Sequence, residues 1–198
     1  KRTLCEYNIN LVFHLAASTI VTQATMNPLE TLNVNIMGTS NILEAARQLR
    51  REGQDIHVIV ASSDKAYGNI QDRSNPYTED MQLHGSYPYD VSKSCVDLIA
   101  QSYFESYDLP IGIVRCGNLF GPGDLNYNRI IPGTIISYID KKSPIIRSDG
   151  SMIRDYIYVK DAAIGYMYVA DKSCEYEDGT KLIYNISTGN HVSVLDIV

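Results

Sequence analysis

Two short stretches carry side chains that could move protons together: Ser63-Asp64-Lys65, which closes one apolar run, and Tyr89-Asp90-Val91-Ser92-Lys93, which opens another. Tyrosine and lysine also stand four apart at Tyr138/Lys142, Tyr156/Lys160 and Tyr168/Lys172, so the bare spacing is background in a tyrosine-rich chain. Context selects among the pairs. Only Tyr89 and Lys93 begin an amphipathic helix that follows a buried strand ending in a hydroxyl side chain. On a helix, residues four apart share a face. An ammonium beside a phenol favours the phenolate and makes it a usable base near neutral pH. The other three pairs read as surface or packing residues. Taken alone, Ser63 reads as a hydroxyl capping a turn, and Asp64 with Lys65 as a solvated pair.

The elements that must hold these groups follow from the apolar pattern. Residues 9–17, ending in Ala16 and Ala17, read as a buried parallel strand whose small last residues let a ligand approach. From Pro28 to Arg51 apolar residues recur on a helical period, with Gly53 after the end. Inside that helix Asn35 and Gly38 are costly, glycine by about 1 kcal/mol against alanine, which points to close packing or function. Ile56 to Ala61 is a second buried strand, and ligands of open parallel sheets sit at the carboxyl ends of the strands. Pro88 to Tyr107 is a helix with Val91, Cys95, Leu98 and Ile99 on its apolar face, stopped by Asp108-Leu109-Pro110. Ile111 to Arg115 is a third strand with a glycine-rich exit over 116–123.

Beyond Asp124 the elements become short and mixed. Helix is expected over 130–142, extended chain at 145–147, a turn at Asp149-Gly150, and extended chain at 156–159. Asp161 is expected to cap a helix running to Ala170, with a strand at 182–186, a turn at 187–189 and a last helix capped by Ser193. This divides the chain into a sheet domain, 1–123, and a lobe, 124–198, woven into it.

The 198 residues are 44% hydrophobic, enough for one substantial core, and the net charge of −6 with no basic run argues against nucleic acid or an anionic membrane as partner. Cys5, Cys95, Cys116 and Cys174 have no metal or redox spacing and read as reduced thiols of a cytoplasmic protein. The four histidines form no ligand pattern, so no metal is expected.

Val12-Phe13-His14-Leu15-Ala16-Ala17, Asn35-Ile36-Met37-Gly38-Thr39, Ser63-Asp64-Lys65-Ala66-Tyr67-Gly68 and the Tyr89/Lys93 pair occur in the order found in the extended short-chain dehydrogenase/reductases. This superfamily holds the nucleotide-sugar epimerases and 4,6-dehydratases, and the resemblance covers nearly the whole chain. It implies an α/β fold: a doubly wound, Rossmann-like parallel sheet with a small interwoven α/β substrate lobe. The superfamily's Gly-x-x-Gly-x-x-Gly turn and acidic ribose-binding residue have no match here. The resemblance therefore implies a chain truncated at its N-terminus and incomplete at its C-terminus.

The same resemblance implies NAD as cofactor, held by Ala16, Ala17, Asn35, Tyr89, Lys93 and Cys116. It implies a nucleotide-diphosphate sugar as substrate, contacted by Asn118, Arg129 and Arg154, and a homodimer. Tyr89 would take the proton of the sugar hydroxyl at carbon 4, and Ser63 would hydrogen-bond that oxygen. Lys93 would hold the nicotinamide ribose and tune Tyr89. The 4,6-dehydratases resemble this chain in carrying Asp at position 64, the acid that protonates the hydroxyl leaving carbon 6. Many carry Glu next, as the base at carbon 5, where this chain has Lys65. Asp-Lys, with Asp90-Val91-Ser92-Lys93-Ser94-Cys95, resembles the branch acting on CDP-glucose. A 4-epimerase or reductase on the same fold is the rival reading, and a non-catalytic sensor the remote one.

Overall fold

The computed structural model describes residues 1–68, 76–175 and 181–198. The chain forms two compact units: residues 1–115 with 165–185, and residues 116–164 with 186–198. The division expected between residues 123 and 124 falls inside the second unit, and the chain returns to the first for 165–185.

In the first unit the elements run α1 (Arg2–Glu6), β1 (Leu11–His14), α2 (Val21–Met26), α3 (Pro28–Leu32), a π-helical turn (Asn33–Met37) and α4 (Gly38–Arg51). Next come β2 (His57–Ala61), a 3₁₀ turn (Asp64–Tyr67), α5 (Pro88–Tyr107) and β3 (Ile111–Cys116). The strands β1, β2 and β3 pair in parallel, with Leu11 opposite His57 and Val58 opposite Ile111. The sheet order continues from β3 to a strand at Leu182–Ile186.

Alternation along the strands gives the sheet two buried faces. Ile56, Val58, Val60, Ile111 and Ile113 pack with Leu43, Ala46 and Leu49 of α4 and Val96 and Ala100 of α5. On the other face His57 Nδ1 lies 2.8 Å from Ser173 Oγ. A side chain at Gly112 would there meet Val169 at 2.5 Å and Ile59 at 2.9 Å, so glycine lets the helix carrying Val169 close on the sheet. Helices on both faces of a parallel sheet are the doubly wound arrangement.

Several expectations are corrected. Strand β1 ends at His14, short of Ala17, and is an edge strand only half-buried. Four residues beyond its end, Asn35 takes both backbone groups of Ser18: its Oδ1 accepts from Ser18 N at 2.7 Å and its Nδ2 donates to Ser18 O at 3.1 Å. The expected single helix over 28–51 is broken by the π-helical turn that presents Asn35 inward. Helix α5 spans the expected residues, with Pro88 at its first position and Asp108 left-handed at its end. Its buried face is not the apolar one: Leu98 is 54% exposed, while Ser92, Lys93 and Asp97 are buried with Val96 and Ala100.

The second unit contains β4 (Asn118–Phe120), α6 (Ile130–Ile139), β5 (Ile153–Tyr158), the start of α7 (Val159–Glu175), β7 (His191–Ser193) and α8 (Val194–Ile197). The strand at Leu182–Ile186 is β6. β4 pairs in parallel with β5, and β5 antiparallel with β7. Residues 145–147, expected extended, belong to no strand, and Asp161 lies in the first turn of α7 rather than capping it. Ser193 caps α8 in a reciprocal box with Asp196, as its sequence position suggests. Among the described residues no helix is long and apolar enough to cross a membrane.

Candidate active site

The carboxyl end of β2 and the first two turns of α5 hold the candidate proton-moving groups. Tyr89 and Lys93 lie four residues apart on an unbroken α-helix, so they share a face. Lys93 is 4% exposed, and its ammonium donates to Ala61 O at 2.7 Å, at the end of β2. An ammonium has three donors. Among the described residues this bond uses one of them.

Burial pushes the Lys93 amine down to about 8, and Asp97, one turn further along α5, opposes the shift. His14, at the end of β1, is held below its ordinary value first by burial and then by the charge of Lys93. The sequence reading assigned this histidine no role. Its Nε2 lies 2.9 Å from Thr39 Oγ1, whose hydroxyl also donates to Asn35 O at 2.7 Å. Asn35 in turn donates to Ser92 Oγ at 2.8 Å, so one buried amide ties the segment after β1 to α5. A π-helical turn is a common way to aim such a side chain.

The lowered Lys93 value makes a stability prediction. The unfolded amine titrates near 10.5 and the folded one near 8. Between these values the unfolded chain binds the proton and the folded chain does not, so the contribution of Lys93 makes stability rise with pH across that window. Denaturant melts at several pH values should show this rise in the wild type and lose that component in Lys93→Met; identical slopes would contradict the burial of the amine.

Ser63 caps the 3₁₀ turn that follows β2. Its Oγ accepts from Lys65 N at 3.2 Å and donates to Asp64 Oδ1 at 3.1 Å. The capping role expected for an isolated strand-end hydroxyl is thus present, and it also joins Ser63 to Asp64. Asp64 and Lys65 are half-buried.

Behind the site lies a network that the sequence reading missed. Ser62 Oγ donates to Asp97 Oδ2 at 2.6 Å, and Arg115 of β3 grips the same carboxylate with Nε at 2.8 Å and Nη2 at 2.9 Å. Arg115 Nη1 donates to the Tyr67 hydroxyl at 2.7 Å, and Tyr67 donates to Asn185 Oδ1 at 2.8 Å. The Tyr67 ring stacks on Tyr77 with centroids 4.8 Å apart. No spacing rule links residues 62, 67, 97, 115 and 185, so only the fold could reveal the set.

The remaining candidates lie elsewhere. Ala16 and Ala17 follow β1 in irregular chain. In the second unit Cys116 is buried at the end of β3, and Asn118 on β4 stands opposite Tyr156. Arg129 is the N-cap of α6, paired with Asp124 at 3.0 Å. It lines a cavity of about 430 Å³ together with Arg147, Tyr127 and Thr134. Arg147, not foreseen from the sequence, is held by Asn128 O at 2.9 Å and Asn128 Oδ1 at 2.7 Å. The Thr134 hydroxyl is buried without a partner among the described residues. Arg154 and Asn118 are not among the residues lining that cavity; Arg154 bends back to Ile153 O at 2.9 Å.

The NAD dependent epimerase/dehydratase family model matches residues 1–187. The chain is 32% identical to the CDP-glucose 4,6-dehydratase of Salmonella typhimurium, over 91% of this chain and 51% of that protein. It is 30% identical to the dTDP-glucose 4,6-dehydratase of Neisseria gonorrhoeae, over 100% of this chain and 57% of that protein. Among solved structures, MoeE5 in complex with UDP-glucuronic acid and NAD superposes with a TM-score of 0.83 at 29% identity, covering 96% of this chain and 60% of that one. With a helix-flanked parallel sheet and a buried Tyr-x-x-x-Lys pair in place, these matches establish that the chain belongs to the NAD dependent epimerase/dehydratase family. It spans about half the length of the curated relatives it matches.

Proposed function

We propose that the protein is an NAD-dependent nucleotide-sugar 4,6-dehydratase acting on CDP-glucose. The observation that carries this reading is the pairing of Tyr89 and Lys93 on one helical face with an acid, Asp64, on the turn after β2. NAD, when bound, would supply the hydride acceptor for carbon 4 and the hydride donor for carbon 6. The buried Lys93 ammonium suits the ribose hydroxyls, and Ala16, Ala17, Asn35 and Cys116 would border the rest of the cofactor.

Tyr89, kept reactive by the adjacent amine, takes the proton of the carbon 4 hydroxyl, and Ser63 holds that oxygen. The resulting ketone acidifies the hydrogen at carbon 5. Lys65 stands to take this proton, and Asp64 delivers its own to the hydroxyl that leaves carbon 6 as water. An amine serves as base only in its uncharged form.

The cavity of the second unit supports a diphosphate substrate. Arg129 and Arg147 offer two guanidinium forks, a geometry that suits phosphate. Asn118 and Arg154 would act from the same unit. A homodimer and a cytoplasmic setting are part of the same proposal.

Asp64→Asn tests the division of labour. With CDP-glucose deuterated at carbon 4, the full-length variant is expected to retain isotope transfer from that carbon while elimination slows by about 10²-fold or more. Equal loss of both steps would refute the role of Asp64 as acid. A product that keeps its carbon 6 hydroxyl and has inverted at carbon 4 would favour the epimerase reading instead.

A further inference from the structure

Tyr67 has no part in the scheme above, yet it is 1% exposed at the end of the turn that carries Asp64 and Lys65. Its hydroxyl ties that turn to two strands: it accepts from Arg115 Nη1 of β3 at 2.7 Å and donates to Asn185 Oδ1 of β6 at 2.8 Å. Each partner is itself held. Arg115 Nη1 also donates to Glu79 O at 3.0 Å, while its Nε and Nη2 grip Asp97. Asn185 N donates to Glu79 Oε1 at 2.7 Å, and Asn185 Nδ2 to Tyr77 O at 2.9 Å.

The turn therefore has an anchored end and a working end. At the anchored end Ala66 O accepts from His84 N at 3.0 Å and from Ser94 Oγ at 2.8 Å. Gly68 closes the turn at a φ of 73°, where a Cβ would lie 1.9 Å from His84 O. At the working end Asp64 and Lys65 are half-buried, and Ser63 Oγ donates to Asp64 Oδ1 and accepts from Lys65 N. A 3₁₀ turn holds three residues per turn, so side chains three apart eclipse. Asp64 and Tyr67 are three apart. The face of the turn that presents the Asp64 carboxyl is thus the face fixed by the Tyr67 ring.

We propose that Tyr67 is a positioning residue for the elimination step: clamped between Arg115 and Asn185, it sets the rotation of the Asp64–Tyr67 turn and so the placement of the Asp64 acid and the Lys65 amine. This rests on the dehydratase reading. The clamp itself moves no proton. The groups for oxidation at carbon 4 stand on α5, where the Lys93 ammonium bonds to Ala61 O and Ser92 to Asn35 without using the Tyr67 hydroxyl. Loss of that hydroxyl leaves Arg115 bonded to Asp97 and to Glu79 O, so no buried charge is stranded.

Two measurements on the full-length protein test this. In native-state hydrogen exchange, the amides of Lys65, Ala66 and Gly68 donate to Ser63 Oγ, Ser63 O and Lys65 O and so report on the turn. They are expected to exchange about tenfold faster in Tyr67→Phe, with the amides of α5 unchanged. Unaltered exchange across the turn overturns the proposal. In single-turnover reactions with CDP-glucose deuterated at carbon 4, Tyr67→Phe is expected to keep isotope transfer to the cofactor within about twofold and to slow elimination by about 10- to 10²-fold, as for a misplaced catalytic group. Deuterium should then collect on the cofactor before product forms. Asn185→Ala removes the other partner of the same hydroxyl and should slow the same step. Elimination at the wild-type rate in both variants, or equal loss of both steps, overturns the proposal. Thermal unfolding of each variant separates these outcomes from misfolding. A wild-type enzyme that forms no 4-keto-6-deoxy sugar overturns the dehydratase reading itself, while hydrogen exchange still decides whether Tyr67 sets the turn.

Discussion

Asp97→Ala and Arg115→Met are each expected to cost the fold about 3–5 kcal/mol, because either one strands an opposite charge in the interior. The carboxylate of Asp97 is fully buried and receives two bonds from the guanidinium, one from Ser62 and one from Gln101 Nε2 at 2.7 Å. Replacing both partners at once with apolar residues removes the stranded charge, so the double variant Asp97→Ala/Arg115→Met should be less destabilised than the sum of the two single changes. Urea unfolding of the four proteins closes the cycle. Additive losses would mean that the pair is not coupled as its geometry requires. A second consequence reaches the candidate site. Asp97 holds the Lys93 amine up against the effect of burial, so its loss should let that amine fall below about 8.

Tyr89→Phe carries the other large effect. Removing the phenolic oxygen takes away the proposed base and leaves the ring, the helix and its packing in place. Turnover of the nucleotide sugar is expected to fall by about 10²- to 10⁴-fold, the usual contribution of general base catalysis, with thermal unfolding little changed. Lys93→Met should lose a comparable factor and weaken NAD binding as well, which separates the two roles. Retention of near wild-type turnover in Tyr89→Phe would remove the foundation of the proposed chemistry.

How far these features could be read in advance depends on how local they are. Helix α5 was legible to the residue because its limits are local: Pro88 suits the first helical position and Asp108-Leu109-Pro110 ends it. The strand at 182–186 was legible for the same reason, as an apolar run between polar segments. Non-local causes were not legible. The path of the chain after β1 depends on an amide far along the sequence, Asn35, which takes the backbone of Ser18. The short strands β4 and β7 exist through pairing with β5, which carries no signal in their own three residues.

The candidate site divides in the same way. Tyr89 and Lys93 could be chosen because a helical spacing and a preceding strand are sequence properties. The face of α5 that is buried could not, because Ser92, Lys93 and Asp97 bond to Asn35, Ala61 and Arg115 on other elements. Polar residues with distant partners defeat a reading based on apolar periodicity. Arg147 was missed for a related reason: it lies in irregular chain, and only the fold brings it to the cavity lined by Arg129.

The central claim is that this chain carries the groups for oxidation at carbon 4 followed by loss of the carbon 6 hydroxyl. The most direct measurement incubates the full-length protein and NAD with CDP-glucose deuterated at carbon 4 and locates the isotope in the product. The account predicts a 4-keto-6-deoxy sugar with deuterium at carbon 6. A product that retains both its carbon 6 hydroxyl and deuterium at carbon 4 would contradict it.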